Sequence, residues 1–229
     1  MSKKVSVCIP TYEMKGNGEK FLKQLFDTLD MQTIKPYEVC ISDHSVNDEI
    51  KELCEKTSSL NIVYQRYEEH RGSNSWNINN AISMASGNIS DIMFQDDFYY
   101  DSNSLNERVQ NLKGKWGLTS TIHLKHEKNE LYWKLTPEWR NDIYLGRNSI
   151  GSPSLCTFYK DSFIPFDTNL RMLMDCDFYE AMKRTHGDPD ISNVVTVVTR
   201  QWDGQLQHHI NDDEIQKELA VTISRYENK

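Results

Sequence analysis

Apolar and polar positions along the 229-residue chain switch repeatedly between two periods. Short apolar runs of strand length are each followed by a longer stretch with apolar residues at helical spacing. Val5-Ser6-Val7-Cys8-Ile9 predicts a first strand, closed by Pro10, and Gly16-Asn17-Gly18 marks a loop. Phe21, Leu22, Leu25, Phe26 and Leu29 predict a helix over 20–31, and Pro36 stops it. A strand over 37–41 ends at Ser42-Asp43-His44-Ser45. The next helix opens with Asp48 and Glu49, where the helix dipole favours acids. A strand over 61–67, a turn over 71–74 and a helix over 75–85 follow. Ile78, Ala81, Ile82 and Ala85 share one helix face, and Gly87 ends it. Ile92-Met93-Phe94 is then a buried strand that stops at Gln95-Asp96-Asp97.

Residues 1–97 therefore read β-α-β-α-β-α-β, which predicts a parallel sheet with helices on both faces. The polar strand ends at Asp43 and Asp96 should share the carboxyl edge, where open α/β sheets bind ligands. The second half is less regular. A helix is expected over 105–112 and strands over 116–124 and 131–135, their mutual pairing left open. A loop over 148–154, a strand over 155–159, a helix over 174–185, a strand over 191–199 and a helix over 212–226 complete the chain. No repeat, low-complexity stretch or Pro/Gly linker divides it. The expectation is one α/β domain, a mainly parallel central sheet flanked by helices, with a smaller mixed β part. Residues 1–100 would form a nucleotide-binding half, 101–210 an acceptor and catalytic half, and 211–229 a C-terminal helix.

The formal net charge is −8 with no dense Lys/Arg block, which argues against nucleic acid as a partner. The five cysteines show no C-x-x-C spacing, so they are expected to be reduced and zinc is not expected. Met1 to Val5 runs straight into a strand, with no apolar run of signal-peptide or membrane-spanning length. A cytoplasmic protein is expected, with peripheral contact at the cytosolic face of a membrane left open.

Several residues could carry chemistry, each with a plainer reading beside it. Asp96-Asp97 is a solvated acidic turn or a site for a hard divalent cation shared with a phosphate. Asp43 could accept the imide N–H of uracil or thymine, or could close an Asx-turn, and Tyr12 could stack on a base or pack inside. Arg71 precedes a helix and suits a phosphate, yet it also fits an ordinary surface. There is no Walker A lysine and no G-x-G-x-x-G. Asp175 and Asp177 open a helix, which the dipole alone explains, or one of them is a general base. His208 and His209 are a loop pair, or one of them reaches a metal. Trp116, Trp133, Trp139, Tyr144 and Trp202 are core packing, or offer ring faces to sugars.

Taken in order, these pieces resemble the family-2 glycosyltransferases of the GT-A fold. The resemblance is carried by Val7-Cys8-Ile9-Pro10-Thr11-Tyr12, Ile41-Ser42-Asp43-His44-Ser45, Gly72-Ser73-Asn74-Ser75-Trp76-Asn77 and Ala85-Ser86-Gly87-Asn88. Phe94-Gln95-Asp96-Asp97, Ile150-Gly151-Ser152-Pro153-Ser154, Phe166-Asp167 and Met174-Asp175-Cys176-Asp177-Phe178 continue it to about residue 205. It implies that Pro10, Thr11, Tyr12 and Asp43 hold the nucleotide base, and that Arg71 and Asn77 lie near the diphosphate. Asp96 and Asp97 occupy the metal motif, Asp97 as the direct ligand of Mg²⁺ or Mn²⁺, with His208 a further contact. Asp175 falls at the catalytic base, with Asp177 a structural neighbour. Gly151, Ser152, Pro153, Ser154 and Trp202 would border the sugar and acceptor. Gln95 departs from the usual first acid of the motif; its carboxamide would meet a ribose hydroxyl or water. The Gln-Asp-Asp form is also found in enzymes of bacterial surface polysaccharides, including rhamnosyl-type transferases.

The resemblance implies an inverting glycosyltransferase that moves a hexosyl or deoxyhexosyl group from a UDP- or dTDP-linked sugar to a glycan or lipid-linked glycan. Two other classes stand beside it. One is a non-catalytic nucleotide-sugar binder. The other is a sugar-phosphate nucleotidyltransferase, whose usual Gly-rich basic loop after the first strand is here a segment with one lysine, Lys15.

Overall fold

The computed structural model describes residues 3–205 and 211–227. The nucleotide-type half contains β1 (Val5–Thr11), α1 (Gly18–Asp30), β2 (Glu38–Asp43), α2 (Glu49–Lys56), β3 (Ile62–Arg66), α3 (Asn74–Met84), β4 (Ile89–Ile92) and β5 (Phe98–Tyr99). The rest contains α4 (Ser104–Asn111), β6 (Trp116–Lys125), β7 (Glu130–Leu135), β8 (Cys156–Tyr159), α5 (Met174–His186), β9 (Asp190–Gln201) and α6 (Asp212–Tyr226). The described strands form one sheet in the order β3-β2-β1-β4-β8-β6-β9-β5, with β7 branching from β6.

β1 runs parallel to β2 and β4, and β2 parallel to β3, as the alternation of strands and helices predicts. The parallel half ends at β8, which enters antiparallel between β4 and β6. Beyond it β6 pairs parallel with β9 and antiparallel with β7. The mixed β part is thus a continuation of the same sheet.

The two-residue period of the strands divides the core. Val7, Ile9, Val39 and Ile41 face α1, through Leu22, Leu25 and Phe26. Cys8 and Cys40 face the other side, toward Ile78, Ala81 and Ile82 of α3 and Phe178 and Met182 of α5. All five cysteines are free and buried, packed as small apolar groups.

Two of the boundaries that differ from expectation matter for the site. Pro10 does not close β1, which continues to Thr11. Pairing with β4 ends at Cys8 opposite Ile92, so no ladder bond is asked of Pro10 on that side. β4 in turn stops at Ile92, earlier than its apolar run suggests. Met93 N still reaches Cys8 O at 3.1 Å, but Phe94 N donates to the Ser154 hydroxyl at 2.9 Å. The backbone therefore leaves the sheet just before the acidic pair.

A buried charge network lies a few residues upstream. Asp91 of β4 and Arg108 of α4 pair at 2.6 Å, both side chains 0% exposed. Asp91 also accepts from the hydroxyls of Tyr99, at 2.7 Å, and Thr157. The guanidinium continues to Cys156 O at 3.2 Å and Thr119 Oγ1 at 3.3 Å. Charges removed from water need such complete partnering. The network ties α4, β5, β6 and β8 to the strand that delivers the acids.

Candidate active site

Three adjoining chambers run along the carboxyl edge of the sheet. The first, about 400 Å³, is lined by Tyr12, Glu13, His44, Arg71, Asn77 and Arg171. The smallest, about 180 Å³, holds Tyr12, Asn77, Gln95, Asp96, Asp97 and Trp202. The third, about 450 Å³, holds His123, Trp133, Asn148, Ser152 and Asp175. Asn74, the first residue of α3, lines all three. Ser73 caps that helix by accepting from Trp76 N. The positive end of α3 therefore lies at the junction, a favourable place for an anion.

Asp97 is buried. One carboxylate oxygen accepts from Arg200 N at 3.1 Å and the other from the Ser152 hydroxyl at 3.3 Å. Burial, and then the neighbouring Asp96 charge, push its pKa up to about 8. Asp96 accepts from the Trp202 indole N–H at 2.9 Å, and its pKa is also raised by burial. A carboxylate has about four acceptor sites, so Asp97 keeps capacity for a further ligand. Two oxygen-donor carboxylates held together at such cost suit a hard divalent cation, whose charge would favour their ionised form. Among the described residues no group of three His, Cys, Asp or Glu side chains converges on a metal site. A cation would need its remaining ligands from a substrate or water. His208 lies outside the described residues.

Asp175, in the first turn of α5, is half-buried across this cleft. Oδ2 accepts from the Asn148 amide at 2.6 Å and Oδ1 from Cys176 N at 2.7 Å. Burial outweighs these bonds and raises its pKa to about 6. Such a group is ionised at neutral pH, yet basic enough to take a proton. Asp177 points elsewhere. It accepts from Arg225 at 2.6 Å and from the Tyr226 hydroxyl at 2.9 Å, tying α5 to α6.

The loop 148–154 spans the two centres. Asn148 also donates to Gly151 O at 3.1 Å, and the Tyr179 hydroxyl holds the same carbonyl at 3.1 Å. Gly151 sits at φ +101°, backbone that favours glycine, and an added Cβ would meet Leu135 at 2.9 Å. Gly151, Ser152 and Pro153 line the third chamber, while Ser154 is buried behind it, bonded to Phe94 N.

The remaining anticipated residues divide into those that face the cleft and those that do not. Pro10, Tyr12, Arg71 and Asn77 face it. Thr11 and Asp43 are 0% exposed and do not line it. The Asp43 carboxylate takes the Thr11 hydroxyl at 3.2 Å, Ser45 N at 2.9 Å and the Tyr64 hydroxyl at 2.8 Å. The Ser45 bond is the Asx-turn weighed above. Gln95 lines the small chamber, but its amide bridges backbone, accepting from Tyr12 N at 2.9 Å and donating to Gly18 O at 2.7 Å. An ionised carboxylate could accept but not donate, which accounts for Gln where an acid was expected. Trp202 abuts the acidic pair in the small chamber and packs edge-on to Phe21.

Four residues were given no role of their own in the sequence. Asn148 sits in an irregular loop, where no periodicity marks it. His44 adjoins the acidic strand end; it lines the first chamber, and its Nε2 is buried without a partner. Arg200 holds Asp97 through its N–H and Asp96 O through its guanidinium at 2.9 Å. Glu218 of α6 accepts from the N–H groups of Arg171, Met172 and Leu173 at 2.8, 2.9 and 2.9 Å, fixing the approach to Asp175.

Comparison with known proteins bears on the family and the fold. No curated protein matches the chain. Among solved structures, S. aureus TarS 1-349 in complex with UDP superposes with a TM-score of 0.68 at 17% identity, covering 97% of this chain and 71% of that one. A longer S. aureus TarS chain gives a TM-score of 0.68 at 16% identity, over 98% of this chain but only 44% of its own length. The mannosyltransferase PcManGT from Pyrobaculum calidifontis, in complex with GDP-Man and Mn²⁺, gives 0.68 at 17% identity, over 99% of this chain and 64% of that one. At such identities the likeness is one of fold. The family model described as Glycosyl transferase family 2 matches residues 6–182, most of the sequence. The chain belongs to glycosyl transferase family 2.

Proposed function

We propose that the chain transfers a glycosyl group from a nucleotide-diphosphate sugar to a hydroxyl of a glycan or lipid-linked glycan, with inversion. The observation that carries this reading is Asp175, a carboxylate of pKa about 6, set across one cleft from the Asp96–Asp97 pair. One loop bonds to both sides of that cleft. The structures of similar fold that hold UDP or GDP-Man support a nucleotide-sugar donor.

The base and ribose would occupy the first chamber, against Tyr12, His44 and Asn77. Asn77 Nδ2 donates to Thr11 O at 3.0 Å, leaving its buried Oδ1 as an acceptor for a ribose hydroxyl or base N–H. Asp43 and Thr11 would act from behind, by shaping the loop that carries Tyr12 and His44. The donor in this reading is UDP- or dTDP-linked. Arg71 and the α3 N-terminus would face the diphosphate.

Asp97, with Asp96, would hold Mg²⁺ or Mn²⁺. When bound, the ion would offset negative charge on the departing diphosphate. Asp175 takes the proton from the acceptor hydroxyl. The acceptor oxygen bonds to the anomeric carbon from the face opposite the diphosphate, and the bond to the diphosphate oxygen breaks as nucleoside diphosphate leaves. Ser152 and Arg200 keep Asp97 oriented, and Asn148 keeps Asp175 oriented. Residues 1–100 then serve the donor and 101–210 the acceptor, while α6 braces α5. Among the described residues no helix is long and apolar enough to cross a membrane.

The test is transfer itself. A panel of UDP, dTDP and GDP sugars with Mn²⁺ should yield one donor that raises the melting temperature and is slowly hydrolysed. A donor that binds without any turnover would favour a non-catalytic binder. Free diphosphate released from a sugar phosphate plus nucleoside triphosphate would favour a nucleotidyltransferase.

A further inference from the structure

The third chamber contains an aromatic surface that the proposed chemistry leaves unused. Trp133 of β7 lines it while remaining 53% exposed, an unusual state for an indole in a cleft. Among the described residues β7 is a branch paired with β6 only, so this side chain is not needed to close the sheet. His123, opposite Trp133 in the β6–β7 register, stacks on it with ring centroids 4.8 Å apart and planes 17° from parallel. That contact fixes the indole as a rigid plate.

His123 lines the same chamber but is only 7% exposed, so it backs the plate on one face. Burial lowers the His123 pKa, which favours the neutral ring. Among the described residues the chamber otherwise offers Asn148, Ser152, Thr199 and Gln201 as uncharged hydrogen-bonding groups, with Arg171 as a cation. One apolar plate beside neutral amides and hydroxyls matches a pyranose, which has an apolar C–H face and hydroxyls at its rim.

We propose that Trp133 is the acceptor platform, the indole face turned away from His123 stacking on the C–H face of a neutral pyranose of a glycan acceptor. This rests on the glycosyltransferase reading above and gives the acceptor class for the same site. Asp175, in the same chamber, then meets a hydroxyl of the stacked ring.

The experiment is saturation-transfer NMR on the full chain with UDP and Mn²⁺. The probes are the methyl glycosides of glucose, galactose, rhamnose and N-acetylglucosamine, and UDP binding is measured alongside by calorimetry. At least one glycoside should bind wild type with saturation concentrated on the protons of one ring face. Trp133→Ala should weaken it by roughly three- to tenfold, the value of an aromatic contact, and Trp133→Phe should restore most of the loss. Tyr100→Ala, a substitution of another exposed aromatic outside the chamber, is the control and should leave binding unchanged. Binding that is equal in Trp133→Ala and wild type, equally weakened by Tyr100→Ala, or absent for all four glycosides while UDP still binds would overturn the proposal. Absence of UDP binding would instead strike the reading on which it rests.

Discussion

Asn148 Nδ2 lies 2.6 Å from Asp175 Oδ2, and four residues on in the same loop Ser152 Oγ lies 3.3 Å from Asp97 Oδ2. A single segment thus sets the proposed base and the proposed metal carboxylate relative to each other. A shift of the loop would misplace both, and misplacement by an ångström is costly where reacting groups must align.

The Asn148 contact has a signed consequence for pH. Its N–H stabilises the Asp175 carboxylate and so lowers a pKa that burial has raised to about 6. Removing the amide in Asn148→Ala should raise that pKa further. The acid limb of the rate profile, expected near pH 6 in wild type, should move to higher pH, with activity recovering as the buffer becomes more alkaline. Initial rates between about pH 5 and 8 would show it, since the limb reports the essential base. An unmoved limb would mean that the ionising group is not Asp175.

Asp97 should govern cation-dependent donor binding. Calorimetry with the accepted nucleotide sugar and Mn²⁺ should show binding by wild type that Asp97→Ala abolishes. Ser152→Ala, which removes one of several bonds to the same carboxylate, should weaken it by about tenfold or less, the value of one hydrogen bond. Binding by Asp97→Ala at wild-type strength would place the cation elsewhere.

Asp177 should separate from its neighbour by what it damages. Its partners are Arg225 and Tyr226, so Asp177→Asn should loosen α6 from α5 and lower unfolding stability by about 1.5–3 kcal/mol. Turnover of the folded fraction should survive. Urea titration beside a rate measurement distinguishes this from Asp175, for which the reverse is expected. Lost turnover with unchanged stability would reverse the two roles.

The Asp91–Arg108 pair should be a structural keystone. Arg108→Met leaves a buried carboxylate without its cation, which typically costs about 3–5 kcal/mol. A drop of that size in unfolding free energy is expected, with the melting temperature falling accordingly. A variant as stable as wild type would show that Asp91 is neutralised by its hydroxyl partners alone.

The parallel half was legible because each strand and helix carries its own period. Phe21 to Leu29 can only be one face of a helix, and alternating Val7, Cys8 and Ile9 feed two cores. Placement of Asp43 and Asp96 on one edge followed from that topology alone. The antiparallel entry of β8 was not legible, because strand direction depends on long-range pairing that local spacing does not encode. The same holds for the roles of Asp43, Gln95 and Trp202. Residue type shows what a side chain can bond, but Tyr64, Gly18 and Asp96 decide what it does bond. Glu218 lies in the helix expected over 212–226; only tertiary packing turns it toward the backbone before α5.

The central claim is that Asp175 abstracts the acceptor proton, and Asp175→Asn tests it most directly. The substitution preserves shape and removes the basic oxygen. With the donor and acceptor identified, turnover should fall by about 10²–10⁴-fold while donor affinity by calorimetry stays at the wild-type value. An Asp175→Asn chain that turns over at near wild-type rate would contradict the account.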